Sequence, residues 1–195
     1  TAHAVGDLAI EFMVEGYERC FAENPERVRA LRHRIEHAIM ATPEQIARAA
    51  DMKLIFSVQP AYAYLWGGKG GMYEHRVGER YLHSNNFAAM FAAGAVVCGG
   101  SDSDVTEPRP MLGIHAAVNR AVPRCAVSVE QAIEMYTVNG AYALFEDKRK
   151  GKLAPGYLAD IVVLDRDIRA VPAEQLEQTD VAVTIKSGSV LHSRQ

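Results

Sequence analysis

Two histidines and one aspartate stand at comparable places in the sequence, each beside a short apolar or β-branched segment. His37 follows the segment 32–35, His3 precedes a helical pattern, and Asp102 follows the apolar run 95–101. Imidazole nitrogens and a carboxylate are ligands that a catalytic divalent metal uses, and such sites leave one position for water. If the segments are parallel strands of an α/β protein, the three side chains lie where such folds gather catalytic groups.

Residue type alone leaves other interpretations open for these three positions. A histidine in a loop is more often structural than a ligand, and this applies to both His3 and His37. Asp102 is also suited to cap a helix, a role that Ser101 or Ser103 could fill equally well. The residues therefore suggest a metal site without excluding ordinary structural roles.

The elements around these residues alternate between helix and strand. Apolar spacing predicts a helix over 5–21, and Thr42, with Pro43 and Gln45 after it, predicts a capped helix that runs to about residue 52. The run 54–58 is typical of a strand buried in a parallel sheet. A second helix–strand pair is predicted at 85–93 and 95–98, with Gly94 ending the helix.

The segment 61–80 shows no helical or strand period, because tyrosines and Trp66 alternate with glycines. We interpret it as a long loop after a strand. It forms either a lid or substrate wall lined by aromatic side chains, or a surface loop that packs its own aromatic residues; the sequence does not choose between them.

The last third of the chain changes character near residue 150. Helices are predicted at 111–121 and 128–139, the second opened by Ser128 and closed by Asn139-Gly140. Beyond them, 161–164 is a short β segment and 181–191 has the pattern of a β-hairpin. We predict one unit over 1–150 and separate β strands over 151–195.

Several motifs resemble one known family in a single order along the chain. They are HAVGDLA, RIEHA, SVQP, GGSDSDV, YTVNGAYALFE and GKLAPGYLADIVVLD. They look like the ends of the fifth to eighth strands, and the segments beyond, of the amidohydrolase superfamily. The closest likeness is to the amidohydrolase 3, or YtcJ-like, family of metal-dependent hydrolases. The joint order of the motifs is far more specific than any one of them.

The resemblance implies an α/β fold, with the C-terminal half of a TIM (β/α)₈ barrel over 1–150. Residues 151–195 would supply strands of a small composite β-sandwich. It implies a hydrolase of non-peptide carbon–nitrogen bonds in amide-type substrates. His3, His37 and Asp102 would bind one or two divalent ions, with zinc as the expected metal, and Asp102 would also shuttle protons.

The chain departs from the family pattern in ways that matter for activity. It contains neither the H-x-H pair of the first strand nor a fourth strand with a bridging residue, and its 195 residues fall short of the about 250 of a complete barrel. We expect partners in the missing N-terminal half, in further copies of the chain and in a small-molecule substrate. The alternative is a catalytically incompetent fragment or a non-catalytic interaction module.

The amino-acid composition argues against several other classes of protein. The chain is 49% hydrophobic and 23% charged with a net charge of −3, so no excess of Lys and Arg predicts nucleic-acid binding. No apolar run reaches the roughly 18 residues that predict a membrane span. The three cysteines are widely spaced, which predicts neither a disulfide framework nor a CxxC metal site. These features fit a cytoplasmic protein.

Neighbouring polar residues are weaker candidates. Glu36 could orient a ligand or pair with Arg34, and Gln59 could bind substrate at a strand end. His33 is expected in a supporting position or on the barrel exterior, and His115 within a helix.

Overall fold

A computed structural model describes residues 1–194, and its centre is a four-stranded parallel sheet. The strands are β1 (Ala2–Ala4), β2 (Arg34–His37), β3 (Ile55–Val58) and β4 (Val96–Gly99), and they pair in chain order. All run in the same direction, so their carboxyl ends share one edge of the sheet. This confirms the α/β class predicted from the sequence.

Helices connect the strands, as parallel pairing requires, because a chain must cross over before it can add a parallel neighbour. They also continue beyond β4. In chain order they are α1 (Asp7–Glu23), α2 (Pro25–Ala30), α3 (Pro43–Asp51), α4 (Pro60–Trp66), α5 (Met72–Val77), α6 (Phe87–Ala92), α7 (Pro110–Val118), α8 (Val129–Tyr136) and α9 (Val138–Ala143).

The main core lies between the sheet and the helices that cross it. The strands supply fully buried apolar side chains, as expected for a sheet covered by βα units. The helices α1, α3 and α6 place buried residues against the same interior. The largest of these side chains are Phe56, Ile35 and Val58 from the strands and Ile10, Val14, Ile46, Phe87 and Met90 from the helices.

The capping box predicted at Thr42 is present. The Thr42 hydroxyl accepts a hydrogen bond from the Gln45 amide at 3.2 Å, and Gln45 Oε1 accepts one from the Thr42 amide at 3.0 Å. Gln45 also donates through Nε2 to Asp7 O and Glu11. The start of α3 is therefore tied to the first turn of α1.

The prediction of an irregular segment over 61–80 was wrong. Residues 60–66 form α4, residues 72–77 form α5, and a 3₁₀ helix spans Gly78–His83. Neither α-helix has a side-chain N-cap; α4 has a proline in its first turn, whereas α5 begins without one. Tyr62, Tyr73 and Tyr81 are buried together with Ile39, so packing stabilises these helices in place of caps.

The helix predicted over 128–139 is shorter than expected. It begins at the predicted Ser128 cap, but α8 ends at Tyr136 and α9 starts at Val138. Thr137 breaks the helix with φ −128° and ψ −95°. Asn139 and Gly140 lie inside α9, so the prediction that they close the helix was wrong.

The C-terminal strands form a second sheet, separate from the parallel one. Its strands β5 (Ile161–Leu164), β6 (Val181–Lys186) and β7 (Ser189–Ser193) are antiparallel in chain order. Ser187 and Gly188 both have positive φ, at 51° and 83°, as a two-residue type I′ hairpin turn requires. The predicted hairpin is confirmed. A 3₁₀ segment at Ala173–Gln178 separates β5 from β6.

None of the helices within residues 1–194 combines the length and apolar character that a membrane crossing requires.

Candidate functional site

His3 and His37 meet at the carboxyl edge of the parallel sheet. Pairing of β1 with β2 sets Ala4 opposite His37, and the two imidazole rings lie edge to face with centroids 4.4 Å apart. His3 is exposed, whereas His37 is 7% exposed. Strand register therefore brings together the two histidines that the sequence singled out.

Gln59 fixes the orientation of the His37 ring. It follows β3, the next strand, and its Oε1 lies 2.7 Å from His37 Nδ1. Gln59 Nε2 faces the Ser57 carbonyl at 3.5 Å, which directs the amide oxygen towards the imidazole. His37 therefore donates through Nδ1, and Nε2 is the ring nitrogen left to face a ligand. A metal-ligating histidine commonly has such a partner on its other nitrogen.

Asp102 lies near the histidines, linked to them through Tyr62. The Tyr62 hydroxyl donates to Asp102 Oδ2 at 2.6 Å, and the Tyr62 ring stacks on His37 with centroids 6.2 Å apart. Burial and the hydrogen bond to Asp102 raise the pKa of Tyr62, so its hydroxyl stays a donor near neutral pH. No helix begins at Asp102, and its carboxylate engages Tyr62, so the capping alternative does not hold.

The backbone leaves the strands abruptly at both sites. His37 and Ala38 have φ of 73° and 49°, and Asp102 has φ of 52°. The Ala38 amide donates to the Ala4 carbonyl at 3.0 Å, so the turn after His37 is held against the end of β1. Non-glycine residues seldom adopt positive φ, and such strain concentrates at functional sites.

The donor set of this chain fits a metal ion only in part. The two adjacent imidazoles, one with Nε2 free, have the chemistry that zinc requires. Within residues 1–194, however, no three His, Cys, Asp or Glu side chains converge closely enough to hold a metal ion. Catalytic zinc sites use three protein ligands. This part of the chain supplies two adjacent donors, with the Asp102 carboxylate nearby but outside the pair.

Glu36, one of the weaker candidates from the sequence, has partners other than His37. Glu36 pairs with Arg34 at 3.0 Å and accepts a hydrogen bond from the Thr1 hydroxyl at 2.5 Å. Although burial opposes ionisation, hydrogen bonds from Ser57, Thr1 and Arg34 lower the pKa of Glu36. The structure thus favours its pairing with Arg34 over a role in orienting His37.

The other histidines lie apart from the pair. His33 packs against the Tyr17 ring of α1 at 5.0 Å, on the helical side of the sheet, and burial lowers the pKa of His33. His115 is a buried residue of α7 that contacts the Tyr64 ring and Asn119, as the prediction of a helix residue required.

Tyr62 is the site residue that sequence reasoning missed. It falls in the segment interpreted as a loop, where nothing distinguished it from the other tyrosines. Pro60 directly after Gln59 is a helix-start signal, since proline is favoured in the first turn. A helix there would have predicted that Tyr62 stays close to the end of β3.

Comparison with known proteins places the chain in a family. The sequence model of the amidohydrolase family matches residues 1–192. The chain is 28% identical to YtcJ of Bacillus subtilis, named as an amidohydrolase, over 98% of the chain and 37% of YtcJ. It is 29% identical to the N-substituted formamide deformylase of Arthrobacter pascens, over 98% of the chain and 36% of that enzyme.

A solved structure agrees with the sequence relatives. An uncharacterized metal-dependent hydrolase from Pyrococcus horikoshii OT3 superposes with a TM-score of 0.72 at 27% identity, over 88% of this chain and 34% of that protein. The chain therefore belongs to the amidohydrolase family. It carries part of the family's TIM-barrel fold and spans about a third of the length of the relatives it matches.

Proposed function

We propose that this member of the amidohydrolase family is the C-terminal part of a metal-dependent hydrolase that cleaves non-peptide carbon–nitrogen bonds in amide-type substrates. The edge contact of His3 with His37 at adjacent strand ends carries the proposal. The family's name and the named activity of the Arthrobacter relative support the same bond class.

His3 and His37 are the residues that would hold the metal, with zinc the metal we expect and one or two ions in the complete protein. When bound, the ion would polarise the substrate carbonyl and make a nearby water more acidic. The part of His37 is to present Nε2 in a fixed direction, since Gln59 engages Nδ1. Remaining ligands would come from the rest of the protein, because two adjacent donors do not complete a site.

Asp102 is the group that we propose moves the proton. Its carboxylate would accept a proton from the attacking water and deliver it to the amine nitrogen as the carbon–nitrogen bond breaks. The Tyr62 hydroxyl holds one carboxylate oxygen at 2.6 Å and leaves the other for this exchange. Tyr62 would thereby position Asp102.

The test replaces Asp102 by Asn in the natural polypeptide that carries this segment, supplied with zinc. The amide cannot accept the proton at neutral pH, so we expect the turnover rate to fall by about 10²–10⁴-fold, the usual contribution of a proton shuttle. Elemental analysis should show that most of the metal remains. An unchanged rate constant would exclude the shuttle role.

The second candidate function is a non-catalytic interaction module. The absence of a three-donor cluster within residues 1–194 favours it. A module of this kind would show no metal-dependent hydrolysis even when joined to the remaining sequence, whereas the hydrolase would.

A further inference from the structure

A cleft opens at the carboxyl end of β4, beside the Asp102 loop. Its volume is about 220 Å³ and it lies between the end of β4 and the start of α7. Two of its lining residues, Ser101 and Ala61, are the chain neighbours of Asp102 and Tyr62. Pockets for whole drug-sized ligands have volumes of about 300–1,000 Å³. The cleft is therefore large enough for one substituent of a substrate, next to the proposed proton shuttle.

Gly99 and Gly113 leave the space that the Tyr136 side chain occupies beside this cleft. A Cβ atom at Gly113 would lie 1.8 Å from the Tyr136 hydroxyl, and one at Gly99 would lie 2.6 Å from its ring. Any larger residue at either position would displace the tyrosine. The absence of side chains on β4 and α7 at these positions is thus what allows Tyr136, at the end of α8, to line the cleft.

The Tyr136 hydroxyl is an unused donor. Neutral phenol both donates and accepts hydrogen bonds, and no side chain within residues 1–194 hydrogen-bonds to this one. Burial raises the pKa of Tyr136, so the proton stays on the oxygen near neutral pH. A ligand oxygen entering the cleft would find a hydrogen-bond donor already in place.

The rest of the lining is apolar inside and charged only at the rim. Ala61, Pro108 and Pro110 form the apolar walls. Arg109 and Glu107 are 49% and 65% exposed, and Arg109 Nη1 lies 3.8 Å from Glu107 Oε2, so the rim carries one charge of each sign. An anion in the cleft would lose its hydration without meeting an unpaired cation, which is costly. The lining therefore favours an uncharged group.

We propose that this cleft selects the substrate by binding an uncharged, compact substituent, such as a single ring, whose hydrogen-bond acceptor meets the Tyr136 hydroxyl. The inference rests on the proposed function, because it names the class of amide that the Asp102 site would receive. The volume of the cleft corresponds to about seven water molecules at about 30 Å³ each. This matches the size of one ring with its polar group.

The test is a titration of the natural polypeptide that carries this segment with benzamide, followed by NMR of the backbone amides. We expect the signals of Gly99, Gly100 and Gly113 to shift, and benzoate to bind more weakly than benzamide. Tyr136→Phe should weaken benzamide binding by about 2- to 10-fold, the loss expected for one hydrogen bond. Tyr142→Phe removes a hydroxyl from the next helix, outside the cleft, and should leave binding unchanged.

Gly113→Ala should abolish binding by displacing Tyr136, and if that variant does not fold, Tyr136→Phe still decides. The proposal is overturned if Tyr136→Phe binds benzamide as wild type does, if benzoate binds more tightly, or if the shifts lie elsewhere. Binding is measured without metal or turnover, so it stands apart from the hydrolysis test. Failure of the Asp102→Asn prediction would leave the cleft result intact.

Discussion

Gln59 determines which nitrogen of His37 is available to a ligand. Its Oε1 accepts from Nδ1 at 2.7 Å in a site where both residues are buried. Without this acceptor the ring could rotate or change tautomer, and Nδ1–H would lose its partner. Gln59 therefore contributes to the site by orienting His37, in addition to any contact with substrate that the sequence suggested.

Gln59→Leu should weaken zinc binding because it removes the acceptor while keeping the side chain similar in size. Outer partners of metal-bound histidines are worth about 10–100-fold in metal affinity, and we expect a loss in that range. Competition against a coloured chelator measures it. Gln175→Leu, at an exposed position of the 3₁₀ segment, is the control and should bind zinc normally. Equal affinity in the two variants would contradict the assignment.

At this scale the sequence predicted positions better than contacts. His3, His37 and Asp102 were predicted as site residues because each lies near the end of a predicted strand and in a family motif, and these roles stay a prediction. The bonds that connect them were not predicted. They involve Gln59 and Tyr62, and the position of Tyr62 depends on a helix that packing stabilises and that only Pro60 signals locally.

Among the elements, α3 is the one whose start is most fully specified by sequence. It follows the turn after His37, and its buried face includes Ile46 and Ala49. The capping box at Thr42 satisfies amides that the first turn of a helix leaves without partners. The cap therefore stabilises both the helix and the connection from the site to the core.

Thr42→Ala should lower the free energy of unfolding by about 0.5–2 kcal/mol, the usual cost of losing an N-cap side chain. Urea unfolding of the chain measures the change from the shift in midpoint. Thr42→Ser keeps the hydroxyl and should stay close to wild type. A serine variant as unstable as the alanine variant would show that the methyl group, not the cap, is responsible.

Two of the helix starts that were predicted correctly carry side-chain caps, whereas the missed helix α4 has only a proline in its first turn. Thr42 and Ser128 mark helix starts because their side chains bond the backbone three residues later. The helix α4 lacks such a cap, and its Tyr64 contacts His115 of α7. The break between α8 and α9 at Thr137 was also missed, because neither a proline nor a glycine stands at that position to indicate it.

The molecule as a whole presents part of a barrel. The sheet order β1-β2-β3-β4 leaves β1 and β4 at its edges, and edge strands can pair with other chains. At β4 the edge is partly covered, because Asn139 Nδ2 donates to the Val97 carbonyl at 3.0 Å. Apolar side chains such as Val190 and Leu191 of β7 are 61% and 65% exposed. Association with further copies or with the remaining sequence stays a prediction.

The assignment of residues 1–150 and 151–195 to two units also stays a prediction. The two sheets are separate in strand pairing, which is what the change in pattern near residue 150 indicated. Residue patterns reveal such a change readily because helical and β periodicities differ. They do not reveal which strands outside residues 1–194 would complete each sheet.

We propose that His3 and His37 bind the divalent metal on which hydrolysis in this family depends. The most direct measurement is elemental analysis of the zinc-supplied natural polypeptide, comparing His3→Ala and His37→Ala with His33→Ala. His33 is a matched control because it directly precedes β2, the strand that carries His37, but its ring packs against Tyr17. We predict that the first two variants lose zinc and hydrolysis together, while His33→Ala keeps both. Full zinc occupancy in His3→Ala and His37→Ala would contradict the claim.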